Sequence, residues 1–159
     1  PEFIEKSANG KIPVLELDDG RILSESNAIM HYLAAGTPLI PTSPFDFAQL
    51  LQWQFFEQYS HEPYIAVARY INIYLGMPAS RIQEFEAKQA GGYKALEVME
   101  QQLSTSPFLI ANTITLADIS LFAYTHVAHE GGFDLSAYPA IRNWIGLIKE
   151  QKGFVAMQA

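Results

Sequence analysis

Hydrophobic and polar positions divide the chain into two unlike parts. Near the start, Ile12-Pro13-Val14-Leu15-Glu16-Leu17 and Arg21-Ile22-Leu23 flank Asp18-Asp19-Gly20, and Asp-Gly between apolar runs predicts a β-hairpin. Proline cannot donate to a ladder, so Pro13 either sits on an edge or marks a tight turn with a cis bond. Pro1-Glu2-Phe3-Ile4-Glu5-Lys6 reads as the last turn of a helix already under way. After the hairpin, Ser24-Glu25-Ser26-Asn27 leads into a short helix with apolar residues at 29, 32 and 33, closed by Gly36 and Pro38. Three prolines between Thr37 and Pro44 mark a domain boundary. The predicted organisation is a small piece over 1–36, a linker over 37–43 and an all-α part over 44–159.

From Pro44 onward the spacing is helical. Ser43 as N-cap, Pro44 at the first helical position and Asp46 open a long helix whose apolar set includes Leu50, Trp53, Phe56, Tyr64 and Val67. Gly76, Pro78 and Ser80 separate it from a second helix carrying Ile82, Phe85, Leu96, Met99 and Leu103. Gly91-Gly92 inside that helix predicts a close helix crossing or a kink. A third helix is expected from Thr115 to Gly131-Gly132, with Ile119, Phe122, Ala123, His126 and Val127 on one face. A fourth runs from Pro139 through Ile141, Trp144, Ile145 and Ile148 to Gly153. The fold class is α+β.

Composition narrows the function. In 159 residues, 49% hydrophobic content against 17% charged supplies material for a core and argues against disorder. A formal charge of −7 without a basic patch argues against nucleic-acid binding. No apolar run approaches the roughly 20 residues that span a bilayer, so no membrane partner is expected; no charged-then-apolar leader stands at the start. The absence of cysteine removes disulfides, thiolate metal sites and a cysteine nucleophile from these residues, and it fits a reducing cytosol.

Several constellations carry candidate chemistry. In Gly10-Lys11-Ile12-Pro13-Val14, a cis proline would leave the backbone of Ile12 free to pair with an extended peptide ligand; the alternative is a strand-start proline with no ligand. Ser24-Glu25-Ser26 stands at a helix start, where amide groups and the helix dipole favour a carboxylate. The Ser26 hydroxyl adds a donor and Glu25 offers a partner for ammonium, which together describe an α-amino-acid receptor; the alternative is simple capping. Thr115-Leu116-Ala117-Asp118 reads as a structural capping box, with Ile114 and Ile119 as its hydrophobic staple. His126 and His129, with Glu130 nearby, lack the further ligands that zinc requires, and no metal site is expected. Of the six aromatic residues Phe55, Phe56, Tyr59, Tyr64, Tyr70 and Tyr74, most belong to a core or a helix interface.

The runs Asn9-Gly10-Lys11-Ile12-Pro13-Val14-Leu15 and Leu23-Ser24-Glu25-Ser26-Asn27-Ala28-Ile29 resemble the cytosolic glutathione transferases. So do Trp53, Phe56 and Glu57, then Thr115 to Ile119, Tyr138-Pro139, Trp144 and Gly153-Phe154, in order along the whole chain. The resemblance implies the end of a thioredoxin-like domain followed by an all-α domain, in a cytoplasmic homodimer that uses glutathione as co-substrate and no metal. It implies that Ile12, before Pro13, pairs with the cysteinyl backbone, that Glu25 and Ser26 hold the γ-glutamyl group, and that Lys11 approaches the peptide. It places the acceptor pocket between the domains, with His61, Glu62, Tyr64 and Tyr124 as candidates. The family's catalytic Ser, Tyr or Cys lies in a strand-helix-strand unit that would precede Pro1, so no catalytic residue is expected within this chain. On that reading the chain is about four-fifths of a two-domain protein. A lone hairpin is marginal in water and its Val14 strand would keep an unpaired edge, in keeping with such a unit. The implied reaction is conjugation of glutathione thiolate to small hydrophobic electrophiles, a detoxifying role. The alternatives are a noncatalytic interaction or regulatory module and a glutathione-dependent reductase or isomerase.

Overall fold

The computed structural model describes residues 2–156. Pro1 and residues 157–159, at the ends of the two predicted parts, lie outside them. A short helix α1 (Glu2–Lys6) precedes strands β1 (Val14–Glu16) and β2 (Ile22–Ser24), which pair antiparallel with Leu15 opposite Leu23. Asp19 closes the connecting turn by accepting the Arg21 N–H at 3.1 Å. The Ile12–Pro13 bond is cis and lies ahead of β1, outside the ladder. Helix α2 (Ser26–Leu33) follows the hairpin directly.

Ser43 caps α3 (Pro44–Phe56) by accepting the Asp46 N–H, with Pro44 at the first helical position. The helical path then continues through a widened π turn (Glu57–His61), α4 (Glu62–Arg69) and a second π turn (Tyr70–Tyr74). Pro63 explains the first of these turns. An α-helical continuation would press its ring on the Tyr59 carbonyl and leave that carbonyl without a donor. The chain widens instead, and Glu62 N–H bonds to Glu57 O, five residues back.

Helix α5 (Ile82–Leu103) crosses α4 closely, as the glycine pair predicts. A Cβ at Gly91 would stand 2.2 Å from the Tyr64 ring, and one at Gly92 would stand 2.3 Å from the Phe133 ring. Helix α6 (Leu116–Thr125) buries residues around most of its circumference, including Leu116, Ala117, Ser120, Leu121 and Thr125. Helix α7 (Pro139–Lys149) packs Ile141, Trp144 and Ile148 into the same core. No helix among the described residues is long and apolar enough to cross a membrane.

Two expectations change here. Helix α6 stops at Thr125 rather than Gly131, because Val127 leaves helical geometry and Ala128–Gly131 forms a separate 3-10 turn. His126 Nδ1 donates to Phe122 O at 2.7 Å and its ring stacks on Phe122 at 4.4 Å. His126 and His129 therefore do not share a helix face. Helix α7 likewise ends at Lys149, short of Gly153.

The fully buried Asp118 carboxylate fastens this part of the fold. Oδ2 accepts Thr115 N–H at 2.9 Å and the Thr115 hydroxyl at 3.0 Å, forming the capping box at the start of α6. Oδ1 accepts Leu109 N–H and the Trp144 indole N–H, both at 2.9 Å. Burial raises the Asp118 pKa, while the four donors pull it down.

The acceptor candidate His61 also belongs to the core. It is fully buried in the first π turn. The Thr125 hydroxyl donates to Leu121 O at 2.7 Å, so its oxygen accepts Nε2–H of His61 at 2.9 Å. Nδ1 has no partner among the described residues. Burial lowers the His61 pKa to about 3, so the folded imidazole is neutral at pH 7.

Two stability measurements test these assignments. Asp118→Asn turns an acceptor into a donor facing N–H groups, and should cost about 2–3 kcal/mol in urea denaturation. A loss below about 1 kcal/mol would remove Asp118 from the fastening role. For His61, the unfolded imidazole titrates near the ordinary value of about 6.5. Its contribution is thus complete above that pH and is lost as pH falls towards about 3. Between pH 7 and 5.5 the native protein should lose about 1 kcal/mol more than His61→Gln. Equal losses would show that His61 is charged in the folded protein.

Candidate functional site

A cleft of about 350 Å³ separates the hairpin piece from the helical part. Its first wall is the loop from Ser7 to Pro13. Buried Ser7 donates its hydroxyl to Lys11 O at 3.0 Å and accepts Lys11 N–H at 3.2 Å, which cinches the loop. Beyond that cinch Ile12 is 83% exposed. Its backbone N–H and C=O make no hydrogen bond among the described residues, leaving one donor and one acceptor beside the cleft.

The second wall is the junction of β2 and α2. Glu25 precedes the helix with φ 70° and ψ 114°, a left-sided conformation that costs a non-glycine residue about 1–3 kcal/mol. Its carbonyl accepts Ile29 N–H at 2.9 Å, but its side chain does not cap the helix. The first-turn amides of α2 are consequently uncapped by a side chain, and Glu25, Ser26 and Asn27 line the cleft around them. Such a helix start suits a carboxylate, and the adjacent Glu25 suits an ammonium group.

The third wall comes from the helical part. Glu57, Gln58 and Glu62 approach from the π turn and α4; Ile119, Ser120, Ala123 and Tyr124 come from α6. Burial pushes the Glu57 carboxyl up, with hydrogen bonds from Gln58 and Asn27 opposing and Glu62 adding to the rise. The Glu62 carboxyl is also raised by burial, with the cations of Lys11 and Lys88 opposing. Burial raises the Tyr124 phenol as well, reinforced by Glu62 and Glu57. This wall combines the apolar side chains of Ile119 and Ala123 with a phenol and two carboxylates.

Lys11, Ile12, Pro13, Glu25 and Ser26 come together in this cleft, and Glu62 and Tyr124 face them. Tyr64 does not join them. It lines a separate groove of about 180 Å³ with Phe56, Tyr59 and Lys94, its ring packed over Gly91 and its face 5.6 Å from the Lys88 ammonium. His61 points into the core, as described above. The inserted residue of the π turn explains both placements: it rotates everything after it by about 100° relative to an unbroken α-helix. Thr115 and Asp118 lie in the core and do not line the cleft. Sequence reasoning missed Ser7, Asn27, Gln58 and Ser120 as cleft residues. The signal for Ser120 was present, as a polar side chain inside the apolar run of α6.

Comparison with known proteins bears on the family of the chain. Residues 1–35 fit the family model described as glutathione S-transferase, N-terminal domain, and residues 82–146 fit glutathione S-transferase, C-terminal domain. A glutathione S-transferase structure from Pseudomonas fluorescens is 55% identical, with 98% of this chain and 77% of that chain covered and a TM-score of 0.96. The disulfide-bond oxidoreductase YfcG of Escherichia coli is 30% identical over 91% of this chain and 69% of its own length. Elongation factor 1-gamma of Danio rerio is 33% identical over 97% of this chain; the chain spans only 35% of that protein. With its two matched domain models, its cleft and its close structural likeness, the chain belongs to the glutathione S-transferase family.

Proposed function

We propose that the cleft binds glutathione and that the whole protein transfers its thiolate to a small electrophile. The γ-glutamyl carboxylate meets Ser26 and the first-turn amides of α2, while its ammonium group meets Glu25. The cysteinyl backbone pairs with the N–H and C=O of Ile12, and Lys11 stands at the rim. The thiol loses its proton, the sulfur forms a bond to the electrophilic carbon, and the leaving group departs with the electrons of the broken bond. None of the cleft-lining residues is assigned the role of stabilising the thiolate. The acceptor lies against Met30, Ile119, Ala123, Glu62 and Tyr124. Detoxification in the cytoplasm, by a homodimer, completes the reading; exposed Phe55 and Tyr59 on the α3 side support the dimer.

The observation that carries this proposal is the uncapped start of α2 behind Glu25, facing the free backbone of Ile12 across one cleft. A strained residue persists where its surroundings hold it, and such residues gather at binding sites. Thiol–disulfide chemistry on the same bound glutathione is a second reading, favoured by the match to the Escherichia coli oxidoreductase over most of its length. A noncatalytic interaction module is a third, favoured by the match to elongation factor 1-gamma.

Ser26→Ala should weaken glutathione binding about tenfold, measured by calorimetry on the full protein. Unchanged affinity would take Ser26 out of the site. The reaction class follows from parallel assays with an activated aryl halide and with a mixed disulfide of glutathione. Turnover of the halide supports conjugation, turnover of the disulfide alone supports the reductase, and neither supports the noncatalytic module. Failure of the native protein to bind glutathione would overturn all of these readings except the last.

A further inference from the structure

Helix α2 is held to the rest of the protein by a ring of hydrogen bonds as well as by apolar packing. His31 Nε2 meets Gln54 Oε1 at 2.8 Å, Gln54 Nε2 donates to Ser120 Oγ at 3.3 Å, and Ser120 Oγ approaches Asn27 Oδ1 at 2.8 Å. Gln54 is 2% exposed and lies on α3, and the nearly buried Ser120 lies on α6. The ring therefore leaves α2 at His31, crosses two helices and returns to α2 at Asn27. Asn27 and His31 stand four residues apart, on one face of α2 and one turn apart.

The donors have a consistent direction. With its carbonyl towards His31, the Gln54 amide must present its NH₂ to Ser120. The Ser120 oxygen accepts there, leaving its single hydrogen for Asn27 Oδ1 or for Leu116 O, also at 2.8 Å. Asn27 then turns its own NH₂ to the Glu57 carboxylate in the cleft wall. Every polar atom of the Gln54 side chain is engaged in this path, so an apolar replacement leaves partners unmet at both ends.

Apolar packing alone gives α2 a weak hold. Its buried apolar residue is Ile29, with Met30 half-buried against the core, while Tyr32 and Leu33 face outward. Two grips one turn apart resist rotation about the helix axis, which one apolar contact line does not. Rotation matters because the residue just ahead of the helix is Glu25, whose φ of 70° persists only if its neighbours are fixed.

We infer that Gln54 is a positioning residue for the amino-acid end of the cleft: together with Ser120 it clamps Asn27 and His31, sets the rotation of α2 and so aims Glu25 and Ser26. The functional part of this inference rests on the reading of the cleft as a glutathione site. Gln54 is not among the cleft-lining residues and acts through the helix.

The test is Gln54→Met in the full protein, with two readouts. The glutathione dissociation constant should rise about fivefold to tenfold, the worth of one hydrogen bond. Amide hydrogen exchange over Ser26–Leu33 should quicken by a similar factor, with α6 and α7 unchanged. Ile65→Val, a core substitution at a residue that takes no part in the ring, supplies the comparison: it lowers stability but leaves both readouts at native values. Ser120→Ala should reproduce the effect, and the double variant should bind no worse than the weaker single, because one ring breaks only once. Native affinity in Gln54→Met, or additive losses in the double variant, would overturn the positioning role. If the native protein does not bind glutathione, the reading of the cleft fails. Exchange in α2 then decides the clamp by itself: quickened exchange upholds it and unchanged exchange removes it.

Discussion

A buried carboxylate governs where the helical part meets the cleft. Asp118 accepts from four donors on three segments: the start of α6, the loop before it at Leu109, and Trp144 of α7. An isolated charge in that position would be costly, and the four donors are what make it tolerable. The consequence reaches beyond stability. With its first turn tied down, α6 has one axial position and one rotation. Ser120, Ala123 and Tyr124, which follow within two turns, then arrive at the cleft in a fixed order.

From that anchor, order passes to the small piece. Ser120 meets Asn27, and through Gln54 it also meets His31. A two-stranded sheet and an eight-residue helix bury little apolar surface. Their cleft-facing geometry must therefore borrow rigidity from the larger core. The left-sided backbone of Glu25 is the most demanding feature of that geometry, and it adjoins the clamped helix. In the same wall Glu57 and Glu62 both have carboxyls raised by burial, and the cations of Lys11 and Lys88 oppose that rise at Glu62.

Much of this was legible in residue order because the causes are local. The Asp18-Asp19-Gly20 turn, the Ser43-Pro44 helix start and the Thr115–Asp118 box each involve neighbours a few positions apart. The Gly91-Gly92 pair predicted a close crossing or a kink, and the packing of Tyr64 and Phe133 over it makes it a crossing. Less legible was everything downstream of a change in helical phase. The stretch from Pro44 through Val67 reads as one long helix, and the direction in which His61, Glu62 and Tyr64 point depended on whether that helix kinked, broke or widened ahead of Pro63. It widened, and adjacent His61 and Glu62 went to opposite fates, one in the core and one in the cleft.

By itself, then, the sequence determined the α+β division, the hairpin and the helix starts, because hydrogen bonds between near neighbours and apolar periodicity act within one element. Tertiary structure alone decided which polar side chains share a space. Ser7 cinching the Lys11 loop is a short-range bond whose purpose appears only beside the cleft. The Gln54–Ser120 contact joins residues 66 positions apart, and Ser120–Asn27 joins residues 93 apart. Contacts at such separations have no spacing rule in the chain. They exist because the core fixes the distances between helices, and the side chains are then chosen by what lies across the gap.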